Sequence, residues 1–381
     1  MNRLTRFLAL TLALLIAVLP SRAQVTTGYV RVGVVLPLKE KSQRGAKMVE
    51  FYQGLLMAAD SVRHQGASVD IVALHSGSTA ASMDSLIATR QLVNLDVVFG
   101  PLDAAQLPAL ADYCDLHGTR LVVPFTSIST HVEGHPKHYL VNAPRSLVQR
   151  EAAWFIQNLF PEENVVIIDC NEQNDEGAAL AERIRMAMDE RGVYVKQVKV
   201  DDSDEAFNHV LELGKNNVLV LNSSSLQAIN ALRNRLRDYL AAHTHLHISL
   251  FGYPAWQSYA SQMLSDFYQF DTYIYTPFYR DPNEPQTLHF EQNFQSLCRW
   301  PMSPTFPRYG LFGFDLGYYF LHGIARFGKL FEANLVAVNT KPFQNPLRFV
   351  EQGKGNGHIN TFVEIVHYTN YQAVEILYRN Q

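Results

Sequence analysis

Cysteine is scarce: three residues in 381, Cys114, Cys170 and Cys298, with no close spacing among them. That excludes a disulfide framework and leaves buried, inert thiols as the reading. Basic runs are missing too. Lysine and arginine number 32 against 36 acids, a net charge of −4, so the electrostatic footprint of a nucleic-acid binder is absent. Beyond the first 23 residues there is no run of 18 apolar residues that would span a bilayer. The common catalytic motifs are absent as well: no G-x-G-x-x-G after a strand pattern, no G-x-x-x-x-G-K-[ST], no G-x-S-x-G. Gly353, Gly355 and Gly357 are spaced wrongly for a dinucleotide fingerprint and precede a strand pattern. No enzyme activity, cofactor or metal is expected from these absences.

What is present begins with residues 1–23. Arg3 and Arg6 give a positive start, residues 7–19 are apolar except for Thr11, and Pro20 ends the run. Ser21 and Ala23 place small residues at −3 and −1 of a cleavage site. This is the grammar of a secretory signal, too short to span a bilayer comfortably. Its removal takes away three arginines and no acid, moving the net charge of −4 to −7. The mature chain is expected to be an exported, periplasmic protein with no stable membrane anchor.

The body of the chain alternates β-branched runs with helix-spaced apolar residues. Strands are expected over 30–36, 69–75, 96–99 and 120–123, with helices over 48–64, 83–92 and 105–117 between them. The same grammar restarts with strands at 165–169, 194–200, 218–222, 248–253 and 272–275, separated by four helical patterns. Strands alternating with helices imply parallel sheets covered on both faces. The end differs: helices over 284–298 and 309–327, then strands around the Gly353-Lys354-Gly355-Asn356-Gly357 turn and over 362–368 and 373–378. The fold class is α/β, two doubly wound, Rossmann-like lobes between which the chain crosses more than once.

In open α/β sheets ligands sit beyond the carboxyl ends of the strands. That rule selects the loops at 37–42, 100–103, 125–130, 171–175, 222–225 and 253–256, rich in hydroxyls, amides and aromatics. Two other clusters have plainer readings. Asp201, Asp202 and Asp204 precede a helix and are expected to cap it. His243, His245 and His247 alternate along the chain but lack further ligands, so they are read as a solvated loop.

Several segments resemble the type I periplasmic binding proteins, in particular the leucine/isoleucine/valine-binding branch. They are VRVGVVLPL (30–38), VVFGPLDA (97–104), RLVVPFTS (120–127), LFGYPAW (250–256) and YGLFGFDLGYYFL (309–321). NPLRFVEQGKGNGHINTFVEIVHY (345–368) is similar to the family's C-terminal hairpin. The resemblance implies lobe one over 24–143 and 278–335 and lobe two over 144–277 and 336–381, with crossings near Ala143, Pro277 and Leu335. It implies a ligand between the lobes, touched by Pro101, Leu102, Asp103, Ala104, Thr126 and Ser127 from the first and by residues 171–174, beginning at Asn171, and Tyr253 from the second. Asp315 matches a family position that often holds a Tyr-Asp pair, here Phe314-Asp315, and is either a ligand contact or structural. One departure stands out. Amino-acid binders of the family usually carry a serine shortly after Gly-Pro, whereas this chain has Asp103, an acid that would repel a ligand carboxylate.

Two function classes follow. One is a solute-binding protein that captures a small polar ligand, amino-acid-like or otherwise, by closure of the lobes and delivers it to a membrane transporter or sensor. The other is a cell-envelope scaffold or regulator that kept the bilobal fold and lost the ligand.

Overall fold

The computed structural model describes residues 28–172 and 175–378. The expected signal at 1–23 lies outside them. The first unit runs β1 (Tyr29–Leu36), α1 (Gln43–His64), β2 (Ser68–His75), α2 (Ala80–Ala88), β3 (Val97–Phe99), α3 (Leu107–His117), β4 (Arg120–Val123) and β5 (His138–Leu140). The second runs α4 (Arg145–Leu159), β6 (Asn164–Asp169), α5 (Asp175–Asp189), β7 (Lys196–Lys199), α6 (Asp204–Val210), β8 (Asn216–Leu221), α7 (Leu226–Ala242), β9 (His247–Gly252), α8 (Ala260–Gln269) and β10 (Thr272–Thr276). Then come α9 (Pro285–Cys298), α10 (Tyr309–Phe327) and four strands: β11 (Phe349–Glu351), β12 (His358–Asn360), β13 (Glu364–Tyr368) and β14 (Val374–Tyr378).

Two seven-stranded sheets result. In the first, parallel strands lie in the order β2-β1-β3-β4-β5, and in the second in the order β7-β6-β8-β9-β10, so the two units share one topology. The central strands are apolar on both faces, as β6 and β8 show with five consecutive buried residues each. That is the signature of a parallel sheet with helices on both sides. Two elements absent from the sequence reading, the three-residue β5 and the 15-residue α4, extend the first sheet and open the second unit.

The C-terminal strands correct the expected lobe boundary. Residues 336–360 do not join the second sheet. β12 pairs in parallel with β5 (His358↔Tyr139, Ile359↔Leu140), and β11 pairs antiparallel outside it. The His358 ring stacks on Tyr139 at 4.9 Å between centroids. The last passage between sheets therefore lies at 361–363 and not near Leu335. Only β13 and β14 extend the second sheet, antiparallel to β10. The segment read as one hairpin is thus divided between the two sheets.

The longest helix contact joins α1 to α10 and depends on missing side chains. A Cβ at Gly54 would stand 1.9 Å from the Gly310 carbonyl oxygen, and one at Gly313 1.9 Å from the Phe51 carbonyl oxygen. Backbone meets backbone there, so both positions need glycine. Around this seam Phe51, Leu55, Phe312, Leu316 and Phe320 form the lobe-one core against β1, β3 and β4.

All three cysteines are free, buried thiols, and burial pushes the Cys170 thiol up to about 12. The residue that caps α6 is Ser203 and not one of the three acids expected there. Asp202 accepts from the Lys199 N–H at 2.9 Å, while Ser203 caps the helix and Asp204 sits in its first turn. Among the described residues no helix is long and apolar enough to cross a membrane.

The seam gives a direct test. Gly313→Leu should force α1 and α10 apart and lower unfolding free energy by about 3 kcal/mol or more, read by urea denaturation. An unchanged midpoint would mean that the helices do not meet at this position.

Candidate functional site

The three passages between the sheets leave from the carboxyl edges of the strands. The first follows β5, the second follows β10, and the third runs from Asn360 to Glu364. Glu364 lies opposite Thr276, the last residue of β10. A chain of this length reaches at most about 14 Å between the two Cα atoms. The carboxyl edges of both sheets are therefore neighbours where this passage crosses.

In a sheet of this order the chain reverses direction beside its first strand, and the two loops that diverge there leave room for a ligand. In lobe one those loops follow β1 and β3, and a side-chain pair bridges them. Arg44, in the first turn of α1, forms an ion pair with Asp103. Asp103 raises the guanidinium's already high pKa. The Arg44 side chain remains 44% exposed against 20% for Asp103, so the cation is the more accessible partner. Asp103 Oδ2 is buried with no hydrogen-bond partner. Ser42 caps α1, accepting from the Gly45 N–H, and no acid occupies the helix's first turn. The positive end of a 22-residue helix therefore adds to Arg44.

In lobe two an acid stands at the corresponding place. The equivalent loops follow β6 and β8, and Glu172 bridges them. One carboxylate oxygen accepts from Ser223 Oγ at 2.5 Å and the other from Ser225 Oγ at 2.8 Å. Asn222 ties the same loops, accepting from the Cys170 N–H at 2.9 Å and donating to Asp169 at 3.0 Å. Asp175 and Glu176 stand in the first turn of α5, where its dipole favours them.

The residues singled out by sequence divide sharply. Asp103, Thr126 and Ser127 stand together on the carboxyl edge of the first sheet. Thr126 Oγ1 accepts from the Ile128 N–H at 3.3 Å, and Ser127 is exposed. Pro101 is buried and Leu102 packs on the lobe-one core, so neither presents a polar group. Asn171 is exposed, but it has a left-handed φ of 55° and donates to Asp201 at 2.8 Å. Its side chain turns toward the edge strand β7, away from the β6–β8 loops.

One expectation is corrected, and for Asp315 the contacts select between the two alternatives. Tyr253 is 1% exposed, lies in the lobe-two core and donates its hydroxyl to the Leu221 carbonyl at 2.7 Å, so it has nothing left for a ligand. The Gly-Tyr-Pro-x-Trp piece is a packing unit: Trp256 is fully buried against Gly252, where a Cβ would fall 2.0 Å from the indole. Asp315 is structural. Its buried carboxylate accepts the backbone N–H groups of Phe343, Gln344 and Asn345, each at 2.8 Å. Burial pushes the carboxyl up to about 7 against the pull of those three donors.

Arg44 escapes the sequence reading, Glu172 falls in the 171–174 stretch that the resemblance implies for lobe two, and Glu364, whose hairpin setting suggests a surface acid, is buried. Arg44 lies one residue inside a helix, just beyond the loop window, and Glu172 falls inside a selected loop without a motif to mark it. Glu364 is 6% exposed at the third passage. It borders a hinge pocket of about 270 Å³ shared with Tyr279, Lys341 and Gln344. Burial pushes its carboxyl up to about 8.

Two outcomes follow. Asp315→Ala orphans three buried N–H groups and should cost about 3–5 kcal/mol of stability by urea denaturation; a loss under 1 kcal/mol would be incompatible with the clamp. For Glu364, between about pH 4.3 and 8 the folded form keeps a proton that the unfolded form has released. Stability then falls as pH rises through that window, at up to about 1.4 kcal/mol per pH unit. Glu364→Gln should melt higher than the parent at pH 8.5 and level with it at pH 4.5; a gap that does not vary with pH would refute the assignment.

No protein-family model matches the chain, and no curated protein matches it by sequence. Solved structures match its fold. A Rhodospirillum rubrum protein assigned to branched-chain amino acid ABC transport superposes with a TM-score of 0.65 at 16% identity, covering 92% of this chain and 100% of its own. A branched-chain amino acid ABC transporter periplasmic ligand-binding protein from Burkholderia xenovorans gives 0.54 at 10% identity, covering 91% and 94%. An ABC transporter substrate-binding protein from Desulfitobacterium hafniense, in complex with Leu, gives 0.51 at 13% identity over 92% and 100%. Two sheets of identical strand order, three passages at their carboxyl edges and this overlap of nearly the whole described chain establish that the protein has the bilobal fold of the type I periplasmic binding proteins.

Proposed function

We propose that the chain is an exported solute-binding protein that takes a small zwitterionic ligand, amino-acid-like in its charges, between its lobes and presents it to a membrane transporter or sensor of the envelope. One observation carries this reading: at the strand-reversal loops lobe one presents a cation, Arg44, paired with Asp103, and lobe two a carboxylate, Glu172, held by two serines. Lobe one offers Arg44 and the positive end of α1, which suit a carboxylate. Lobe two offers Glu172, which suits an ammonium group. Asp103, which on sequence alone argued against a carboxylate, is paired with Arg44, and that objection falls away. Thr126 and Ser127 supply hydroxyls on the lobe-one side. Ligand contacts on both lobes would favour the closed form, because only closure satisfies both ends of the ligand. The fold shared with substrate-binding proteins, one of them carrying Leu, supports the same class of ligand.

A thermal-shift screen tests the reading, with amino acids set against their methyl esters, their decarboxylated amines and the matching carboxylic acids. Ligand at about 100 times its dissociation constant adds about 2.7 kcal/mol of stability. Zwitterions should raise the melting temperature where the single-charge analogues do not, and Arg44→Ala and Glu172→Gln should each weaken the response by at least about tenfold. A flat screen, or a response indifferent to both substitutions, would overturn this reading in favour of an envelope scaffold without a small ligand.

A further inference from the structure

At the opposite edge of lobe one, where β5 begins, three chain segments bring histidines and a carboxylate together. Asp115 comes from the last turn of α3, His135 from the loop before β5, and His138 from the first position of β5. One ligand-capable atom from each lies within 4.8 Å of the others. His135 Nδ1 contacts Asp115 Oδ2 directly. His138 is the telling member. It is 1% exposed, and neither ring nitrogen has a hydrogen-bond partner. Its Nε2 lies 3.2 Å from Asp115 Oδ1, outside hydrogen-bond geometry. Desolvating an imidazole without pairing it is costly, so a buried ring of this kind calls for a partner.

We infer that Asp115, His135 and His138 form a binding site for a divalent transition-metal ion. Two ligand atoms on one tetrahedral ion, each about 2.1 Å from it, stand about 3.4 Å apart, close to the separation between His138 Nε2 and Asp115 Oδ1. The two imidazole rings are parallel within 4° at 4.5 Å and present their nitrogens to the same carboxylate. Two nitrogens and a carboxylate oxygen without a thiolate suit Zn²⁺ and its neighbours Ni²⁺ and Cu²⁺. Ca²⁺ and Mg²⁺ demand oxygen ligands.

The loop carrying the ligands is braced. The Gly357 N–H donates to the Val132 carbonyl at 2.7 Å, and Asn356 accepts from the Gly134 N–H at 2.8 Å. A Cβ at Gly357 would fall 2.5 Å from the His138 carbonyl oxygen and 2.6 Å from that of His135. The glycine-rich turn that suggested no function in the sequence therefore presses directly on the backbone of two of the three ligands. Access is open on one side, since the side chains of His135 and Asp115 are 28% and 35% exposed. The site is at the amino edge of the sheet, so it is independent of the ligand crevice. It is also distinct from His243, whose ring stacks on Tyr239 and lies 2.9 Å from that residue's own carbonyl.

Purified without a polyhistidine tag, stripped with EDTA and titrated calorimetrically with ZnCl₂, the chain should take up a single equivalent and melt at a higher temperature. Asp115→Asn and His135→Ala should each weaken Zn²⁺ by at least about tenfold. Both alter partly exposed side chains, and their metal-free melting temperatures should stay within a few degrees of the parent, which separates loss of ligand from loss of fold. CoCl₂ should give visible d–d absorption in the parent and none in His135→Ala. Absence of Zn²⁺ uptake by the parent, or equal uptake by both variants, would overturn the assignment.

Discussion

The buried carboxylate of Asp315 ties together segments that meet where the chain passes between the sheets. It takes three successive N–H groups from residues 343–345, a stretch with no regular structure and therefore no partners of its own. Gln344, held by that clamp, then serves two neighbours. Its carbonyl accepts from the Tyr279 N–H and its side-chain oxygen from the Arg308 N–H, each at 3.0 Å. The second passage between sheets, the entrance to α10 and the approach to β11 are thus referenced to one buried charge. The α1–α10 seam anchors the helix that bears it. A hinge needs segments that bend without losing their place, and this network supplies the place.

Around that hinge each lobe solves one problem twice. Strand order β2-β1-β3 or β7-β6-β8 opens two loops beside the first strand, and a charged side chain closes the gap by bonding across it. The loops need such a bridge because their backbone leaves the ladder there. Arg44 with Asp103 and Glu172 with its two serines serve that structural need first, and the sign of the exposed charge comes with it. Chemistry at the crevice is therefore inseparable from the way each sheet ends, and the two lobes differ in polarity while sharing a topology.

The sheet architecture was legible because buried parallel strands advertise themselves. Stretches such as Val165 to Ile168 are apolar without alternation, and the helices between them carry apolar residues three and four apart. The amphipathic spacing of Leu147, Val148, Ala152, Phe155 and Ile156 marks α4 in the same way once its flanks are known. What stayed hidden was pairing over long distance. Nothing local tells whether Tyr253 turns into the loop or back under Trp256, nor that Asp103 meets a cation from α1, two strands earlier in the chain. The Gly353 to Gly357 turn announces a hairpin but not which sheet receives it; that depends on the free edge of β5, a strand of three residues. His135 and His138 looked unremarkable because their third companion, Asp115, arrives from another element.

The pairing of β12 with β5 bears on how the protein comes into being. The two strands are separated by about 220 residues of chain, most of which build the other lobe. The first sheet cannot be completed until nearly the last residues are available, and closing so long a loop is entropically slow. During synthesis the N-terminal strands must wait with an unpaired edge at β5, while the intervening lobe holds everything its own parallel sheet requires. The lobe made second is therefore free to fold first.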